Sequence, residues 1–285
     1  MNPSADTHCL KPLPALAQAC AITFQGHASN QRQQDTFFLL DDWYQETLGM
    51  TEITPVHSPF CLAVSDGVAS SNDSQHCSKA VLKAIKLLWQ NQQKITADTI
   101  HQQLSLTKHP RRRHGAAATL AMVVGTLDPR GDIKVSITHV GDSRVYRLAK
   151  NSIAWQCLTR DHNLLNELID EQAQEKGQTA DFSDYNREGM AGSLYSITEC
   201  FALNVDSSGL SSEAPTSTVR TLAVQAGDCL ILCTDGIHDL VPSQDWQLIN
   251  DKTDLQDWLE DLRSQVYASE GNAYDNGTAI LIRFA

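Results

Sequence analysis

Two stretches decide the fold. Leu230-Ile-Leu-Cys-Thr-Asp235-Gly236 is an apolar run that ends abruptly in Asp-Gly, and Cys61-Leu-Ala-Val-Ser-Asp66-Gly67 has the same form far upstream. A short apolar run closed by a turn signal reads as a buried strand. An Asp directly after such a strand is fixed by the sheet on one side and open to the loop on the other. Three more segments place an Asp in the same way. They are Ile137-Thr-His-Val-Gly-Asp142-Ser-Arg144, Asp275-Asn276-Gly277-Thr278, and Asp35 entering Thr36–Leu40. One Asp-Gly is an ordinary turn. Five carboxylates at strand ends form a set suited to hard divalent cations, which take several oxygen ligands and complete their shell with water.

Working outward, β-branched and apolar runs predict strands at Cys20–Phe24, Thr36–Leu40, Phe60–Ser65, Arg144–Leu148, Thr221–Val224, Cys229–Cys233 and Thr278–Phe284. Ala117–Leu127 and Ile133–Val140 flank the turn Asp128-Pro-Arg-Gly131 and read as a hairpin. Apolar residues at i, i+3, i+4 and i+7 predict a helix over Cys77–Leu88, a second over Ala97–Leu106, and a third from Leu164 to about Glu175 with Gly177 as its stop. A fourth begins at the capping pattern Thr253-x-x-Gln and buries Leu255, Trp258, Leu259, Leu262 and Val266. Antiparallel hairpins with segregated helices indicate an α+β fold, a two-layer sheet core flanked by helices. Asn204–Thr218 and Asp181–Gly192 read as irregular surface segments. Residues 1–19 read as an N-terminal segment before a single domain over 20–285.

The chain has 285 residues, with 22 Lys+Arg against 34 Asp+Glu, a net charge of −12. That acidity argues against nucleic acid or an anionic membrane as the main partner. No run approaches a membrane span, and the N-terminus lacks the basic start and apolar core of a signal peptide, so a cytoplasmic location is expected. The eight cysteines include no Cys-x-x-Cys pair and several fall inside strand-like runs, so they are read as small buried hydrophobes.

The ordered set Gln34-Asp35, Val64-Ser-Asp-Gly67, Gly115-Ala-Ala-Ala-Thr119, His139-Val-Gly-Asp-Ser-Arg144, Leu158-Thr-Arg-Asp-His162, Gly227-Asp-Cys-Leu-Ile-Leu-Cys-Thr-Asp-Gly236 and Asp275-Asn276-Gly-Thr278 resembles the metal-dependent protein serine/threonine phosphatases of the PP2C type, in a bacterial branch. The resemblance implies an α-β-β-α sandwich of two antiparallel sheets, two Mg²⁺ or Mn²⁺ ions with a possible third, and a phosphorylated protein as substrate. It implies that Asp66 bridges two metals, that Gly67 offers its carbonyl to the second, that Asp235 and Asp275 complete the first, and that Asp142 helps the third. Asp35 would orient the attacking water, and Asp35, Asp66 and Asp235 would form the catalytic set. Because a metal-activated water attacks phosphorus, no protein nucleophile is required, and Ser65 and Ser143 are read as structural. A flap-like insertion is expected around 177–192. The protein is expected to act as a monomer.

Departures from the family pattern matter. The usual phosphate-binding Arg position holds Asn30; Arg32 lies two residues on and is the candidate to replace it, if an extended strand keeps it on the same face. Gln34 cannot supply the charge that some members place there. Val68 stands where some animal members carry a general-acid His. His162 reads as an organiser of the following helix. The basic run Lys108, Arg111, Arg112, Arg113 and His114 has two readings, a solvated loop or a docking patch for an acidic phosphoprotein. Two alternatives to catalysis on phosphoproteins stand beside the main reading: a non-catalytic phosphoprotein-binding module, and a phosphatase of small metabolites.

Overall fold

The computed structural model describes residues 14–26, 32–46, 49–179, 191–203, 213–269 and 275–285. Two antiparallel sheets stack face to face. The first runs in the order Gln156–Cys157, Arg144–Leu148, Cys229–Cys233, Gly277–Phe284, Ala17–Phe24 and Gly49–Met50, with Thr54–Val56 also on Ala17–Phe24. The second runs Thr218–Val224, Ile133–Val140, Leu120–Leu127, Phe60–Ser65, Thr36–Leu39 and Asp42–Tyr44. Between them lies a layer built from Ala19, Leu230, Leu232, Ile280 and Ile282 of the first sheet and Phe37, Leu62, Val64, Val123 and Ile137 of the second.

Helices cover both outer faces. Helices α1 (Gln75–Gln90) and α2 (Ala97–Leu106) bury Val81, Ile85, Leu88, Ile100 and Leu104 against Phe38, Ala63 and Met122 of the second sheet. Helix α3 (Leu164–Glu175) and the single turn α4 (Asp235–His238) follow. Helix α5 (Leu255–Ala268) lays Leu255, Trp258, Leu259, Leu262 and Val266 on Cys20, Ile22, Ile231 and Leu281 of the first sheet. The expected α-β-β-α sandwich is therefore present. Both faces of the central strands are covered, which is why they read as continuous apolar runs and not as alternating ones.

Several boundaries differ from expectation for physical reasons. The first strand begins at Ala17, three residues early, where Ala17 pairs with Phe284. Helix α5 is capped by Asp254, whose carboxylate accepts from the amides of Gln256 (2.8 Å) and Asp257 (3.1 Å), so Thr253 is not its cap. The strand expected from Thr221 starts at Thr218; it is an edge strand with exposed side chains and carries a weak apolar signal. Helix α3 keeps its expected bounds, ending at Glu175 with Gly177 just beyond it at φ +64°. The expected flap falls mostly on residues 180–190, and the loop expected over Asn204–Thr218 mostly on 204–212, outside the described residues. All the described cysteines are free; Cys20, Cys61, Cys77, Cys229 and Cys233 are buried, and burial pushes their thiols up.

Candidate functional site

The strand ends collect at one end of the sandwich. Thr36 pairs with Ser65, Val64 with Ala121, Leu120 with Val140, Arg144 with Cys233, and Cys233 with Ala279. The registers place Asp35 and Asp66 side by side at the end of one sheet and Asp235 and Asp275 at the end of the other, and Asp142 lies in the short link from Val140 to Arg144 that joins the two sheets.

Hydrogen bonds across the two sheets lock the cluster. Thr119 accepts from the amide of Asp66 through its hydroxyl (3.1 Å) and donates its own amide to the Asp66 carbonyl (2.8 Å). The Thr119 hydroxyl also meets Ser143 (2.7 Å), and Ser65 donates to the Thr119 carbonyl (2.6 Å). Thr234 donates to Asp35 Oδ2 (2.8 Å) and accepts from the amide of Thr278 (3.0 Å). Asn276 accepts from the amide of Gly26 (2.9 Å) and donates to the carbonyl of Arg32 (2.9 Å). Gly236 presses against this loop: a Cβ there would lie 2.0 Å from the Asn276 carbonyl oxygen, so only glycine lets Asp235 and Asp275 approach. A Cβ on Gly67 would likewise lie 2.8 Å from the Ser74 backbone, at the start of α1.

The electrostatics record the crowding. Burial pushes Asp66 well above the usual carboxylate range, and the neighbouring charges of Asp35, Asp142 and Asp275 add to it. Asp235 is raised the same way, by burial and then by Asp66, Asp142, Asp239 and Asp275. Burial raises Asp35 to about 7, with the Thr234 hydroxyl pulling the other way. Burial and the charges of Asp161 and Asp239 raise Asp142 to about 7, opposed by Arg144. One carboxylate oxygen each of Asp35, Asp142 and Asp235 is buried with no hydrogen-bond partner. Buried, unpartnered carboxylate oxygens facing one another are unfavourable in isolation. A divalent cation relieves them, and an all-oxygen set fits Mg²⁺ or Mn²⁺. Among the described residues, no three His, Cys, Asp or Glu side chains close into a ready-made ion cage.

Sequence reasoning missed the support around Asp142. Arg144 grips Asp161 with two bonds, Nε to Oδ1 (2.9 Å) and a terminal nitrogen to Oδ2 (2.6 Å), and reaches the Tyr146 hydroxyl (3.2 Å). Arg144 holds Asp161 below its usual range despite burial. His238 lies between the carbonyl of Asp142 (3.1 Å) and the carboxylate of Asp239 (2.9 Å). Together Asp142, Arg144, Asp161, Tyr195, His238 and Asp239 border a cavity of about 320 Å³ beside the cluster. The only sequence signal for Asp239 was its place four residues after Asp235.

The remaining candidates take defined places. His162 does not organise the helix that follows; Asn163 caps α3 by accepting from the Asn166 amide (2.9 Å). His162 instead clamps the Asp142 turn, accepting from the Gly141 amide at Nδ1 (3.3 Å) and donating its own amide to the Gly141 carbonyl (2.8 Å). His139 packs against it at 4.7 Å between ring centroids, and burial pushes His139 down to about 3. Gln33 ties the Asp35 loop to the first sheet through Thr23 (3.0 Å) and accepts from the Asp35 amide (3.0 Å), and Gln34 donates to Ser74 (2.5 Å). Arg32 precedes the strand, which starts at Thr36, so the argument from alternating strand faces does not apply to it. Its guanidinium is two-thirds exposed and pairs with Asp73 at 3.3 Å.

Comparison with known proteins agrees with this architecture. The chain is 28% identical over 157 residues to the serine/threonine phosphatase stp of Listeria welshimeri, and spans about half the length of that curated relative, 51%, with 52% of its own. Its fold is similar to the crystal structure of serine/threonine phosphatase Stp1 from Staphylococcus aureus, with a TM-score of 0.67 and 19% identity over 96% of this chain and 97% of that one. It is also similar to the catalytic domain of the serine/threonine protein phosphatase PstP in complex with two manganese ions, with a TM-score of 0.58 and 18% identity over 94% and 98% of the two chains. The protein phosphatase 2C profile matches residues 29–273, most of the sequence and all but one of the clustered carboxylates, Asp275, which lies just beyond its end. By that match the chain belongs to the protein phosphatase 2C family.

Proposed function

We propose that the chain is a metal-dependent phosphatase that removes phosphate from phosphoserine and phosphothreonine in proteins. The observation that carries this reading is the convergence of five aspartates, three with a buried, unpartnered oxygen, on one end of the sandwich. Asp66, the Gly67 carbonyl, Asp235 and Asp275 would hold two Mg²⁺ or Mn²⁺ ions, with Asp142 serving a third. When bound, these ions supply Lewis acidity, which acidifies water and offsets charge on the phosphoryl oxygens. Asp35, fixed by Thr234 and by Gln33, orients the attacking water. Ser65 and Ser143 are both committed to Thr119, which supports their reading as structural. Arg32 is assigned to the substrate phosphate, exchanging Asp73 for it. A single domain over 20–285 acting as a cytoplasmic monomer completes the reading; among the described residues no helix is long and apolar enough to cross a membrane.

The test is Mn²⁺-dependent release of phosphate from a phosphothreonine peptide, with p-nitrophenyl phosphate and a panel of phosphorylated metabolites beside it. Folded protein that turns over none of them with any divalent ion sinks the proposal. Metal-independent phosphopeptide binding without turnover replaces it by a binding module, and a preference for metabolites replaces the substrate class.

The pH dependence of metal stabilisation follows from the raised carboxylates. A carboxylate whose folded pKa lies above its unfolded value favours the fold at low pH, and that contribution is lost as pH rises through the folded value. For Asp35 and Asp142 the window runs from the ordinary carboxylate range up to about 7. Buried, neutral His139 acts in the opposite sense, favouring the fold as pH rises from about 3. The difference between metal-loaded and metal-free protein therefore isolates the carboxylates. The Mn²⁺-induced gain in Tm is expected to be small near pH 5 and largest above pH 7, where protons no longer compete. Thermal melts across that range, with and without Mn²⁺, measure it.

A further inference from the structure

Helices α1 and α2 leave a groove of about 410 Å³ between them, away from the carboxylate cluster. Its floor is apolar, with Leu87 and Leu104, and its walls are basic: Lys79 and Lys83 from α1, Lys108 and Arg113 from the segment after α2. Arg111 and Arg112 continue the basic wall along the same short turn. This is a concentration of cations in a chain whose net charge is −12.

The cations are largely uncommitted. Lys79 pairs with Glu46, which is itself mostly exposed, and Arg112 stands 4.0 Å from Asp73. Among the described residues Lys83, Lys108 and Arg113 have no carboxylate partner. The ammonium groups of Lys79 and Lys83 lie 5.0 and 4.9 Å from the centre of the Trp43 ring, a cation–π contact that holds both heads without neutralising their charge. Arg113 Nε and His109 Nε2 are shielded from water and also lack a hydrogen-bond partner. Burial, together with the cations Arg113, Lys79 and Arg112, pushes His76 below its usual range, with Asp73 opposing.

The groove also has a fixed relation to the active end. His76 lies at one end of it, two residues after Ser74, which packs on Gly67 and receives the Gln34 amide. From His76 to Leu87 the helix spans about 16 Å, the length of about five residues of extended peptide.

We infer that this groove binds an acidic segment of the phosphoprotein substrate that flanks the phosphorylated residue. Charge complementarity selects the occupant, and the apolar floor takes the side chain of an interspersed hydrophobic residue. The inference rests on the proposed phosphoprotein activity for its biological meaning, but the binding itself is measurable without turnover.

The experiment uses a fluorescein-labelled, unphosphorylated Glu-rich peptide and the full chain, read by fluorescence anisotropy at low and high salt. Two variants reverse opposite walls, Lys79→Glu with Lys83→Glu, and Lys108→Glu with Arg113→Glu. Wild type is expected to bind the peptide in a salt-sensitive way, and each variant to bind it about tenfold more weakly. Hydrolysis of p-nitrophenyl phosphate should be unchanged in both, and the preference for acidic-flanked over Lys-flanked phosphothreonine peptides should disappear. Wild-type affinity in both variants overturns the inference. So does equal displacement of the peptide by single-stranded RNA, or a change of oligomeric state in the variants with peptide binding intact, which would make the groove a self-interface. Loss of all phosphatase activity in wild type with peptide binding retained defeats the functional proposal and leaves the groove assignment standing.

Discussion

Asp66→Ala is expected to abolish turnover, lowering kcat by at least about a thousandfold, and to remove the Mn²⁺-induced rise in Tm. Asp66 is partly buried and feels Asp35, Asp142 and Asp275, three of the four other carboxylates of the cluster. Its backbone is held on both sides by Thr119, which means the substitution removes the carboxylate while leaving the strand end in place. Relief of crowding should leave the metal-free variant at least as stable as metal-free wild type. That pairing of lost activity with retained or improved apo stability separates a ligand role from a structural one. Wild-type rates in a folded Asp66→Ala protein would refute the two-metal assignment.

Asp161→Ala is expected to be strongly destabilising, by about 3–5 kcal/mol, because it removes the carboxylate that neutralises a buried guanidinium. The side chains of Arg144 and Asp161 are 12% and 5% exposed, so the pair is screened little by solvent. The loss should appear as a lowered denaturation midpoint in urea with an unchanged slope. It should also reach function. Arg144 is two residues from Asp142 and loses the partner that holds it, so the Asp142 turn loses a mechanical support, while removal of the Asp161 charge takes away one cause of the raised Asp142 carboxyl, which should shift down. Asp161→Asn, which keeps the shape and part of the hydrogen bonding, should be milder on stability.

How far the sequence revealed this molecule depended on where each signal was stored. Strands such as Phe60–Ser65 and Cys229–Cys233 carry their burial in their own residues and were legible. Gly49–Met50 and Phe201–Ala202 are two-residue pairings held by neighbours and carry no period to detect. The single-turn α4 is too short to show helical spacing. At the site, the five aspartates stood out because each follows or precedes a strand. Thr119, Thr234, Asp161 and Asp239 gain their roles only from the approach of distant segments; Thr234 meets Asp35 across 199 residues of chain. The Thr253 capping pattern misled by one residue, because Asp254 is the stronger acceptor for the first amides of α5.

The pairing of Gly277–Phe284 with both Ala17–Phe24 and Cys229–Cys233 has a consequence for synthesis on the ribosome. A nascent chain that has emerged only as far as residue 233 has no central strand for its first sheet. Until Gly277–Phe284 emerges, Ala17–Phe24 lacks that central partner, and its apolar faces wait exposed for a chaperone or a wrong neighbour. Asp275 arrives on the same last segment. The proposed cation site therefore cannot assemble before the sandwich does, and a prematurely terminated chain has neither the finished sheet nor the full set of carboxylates.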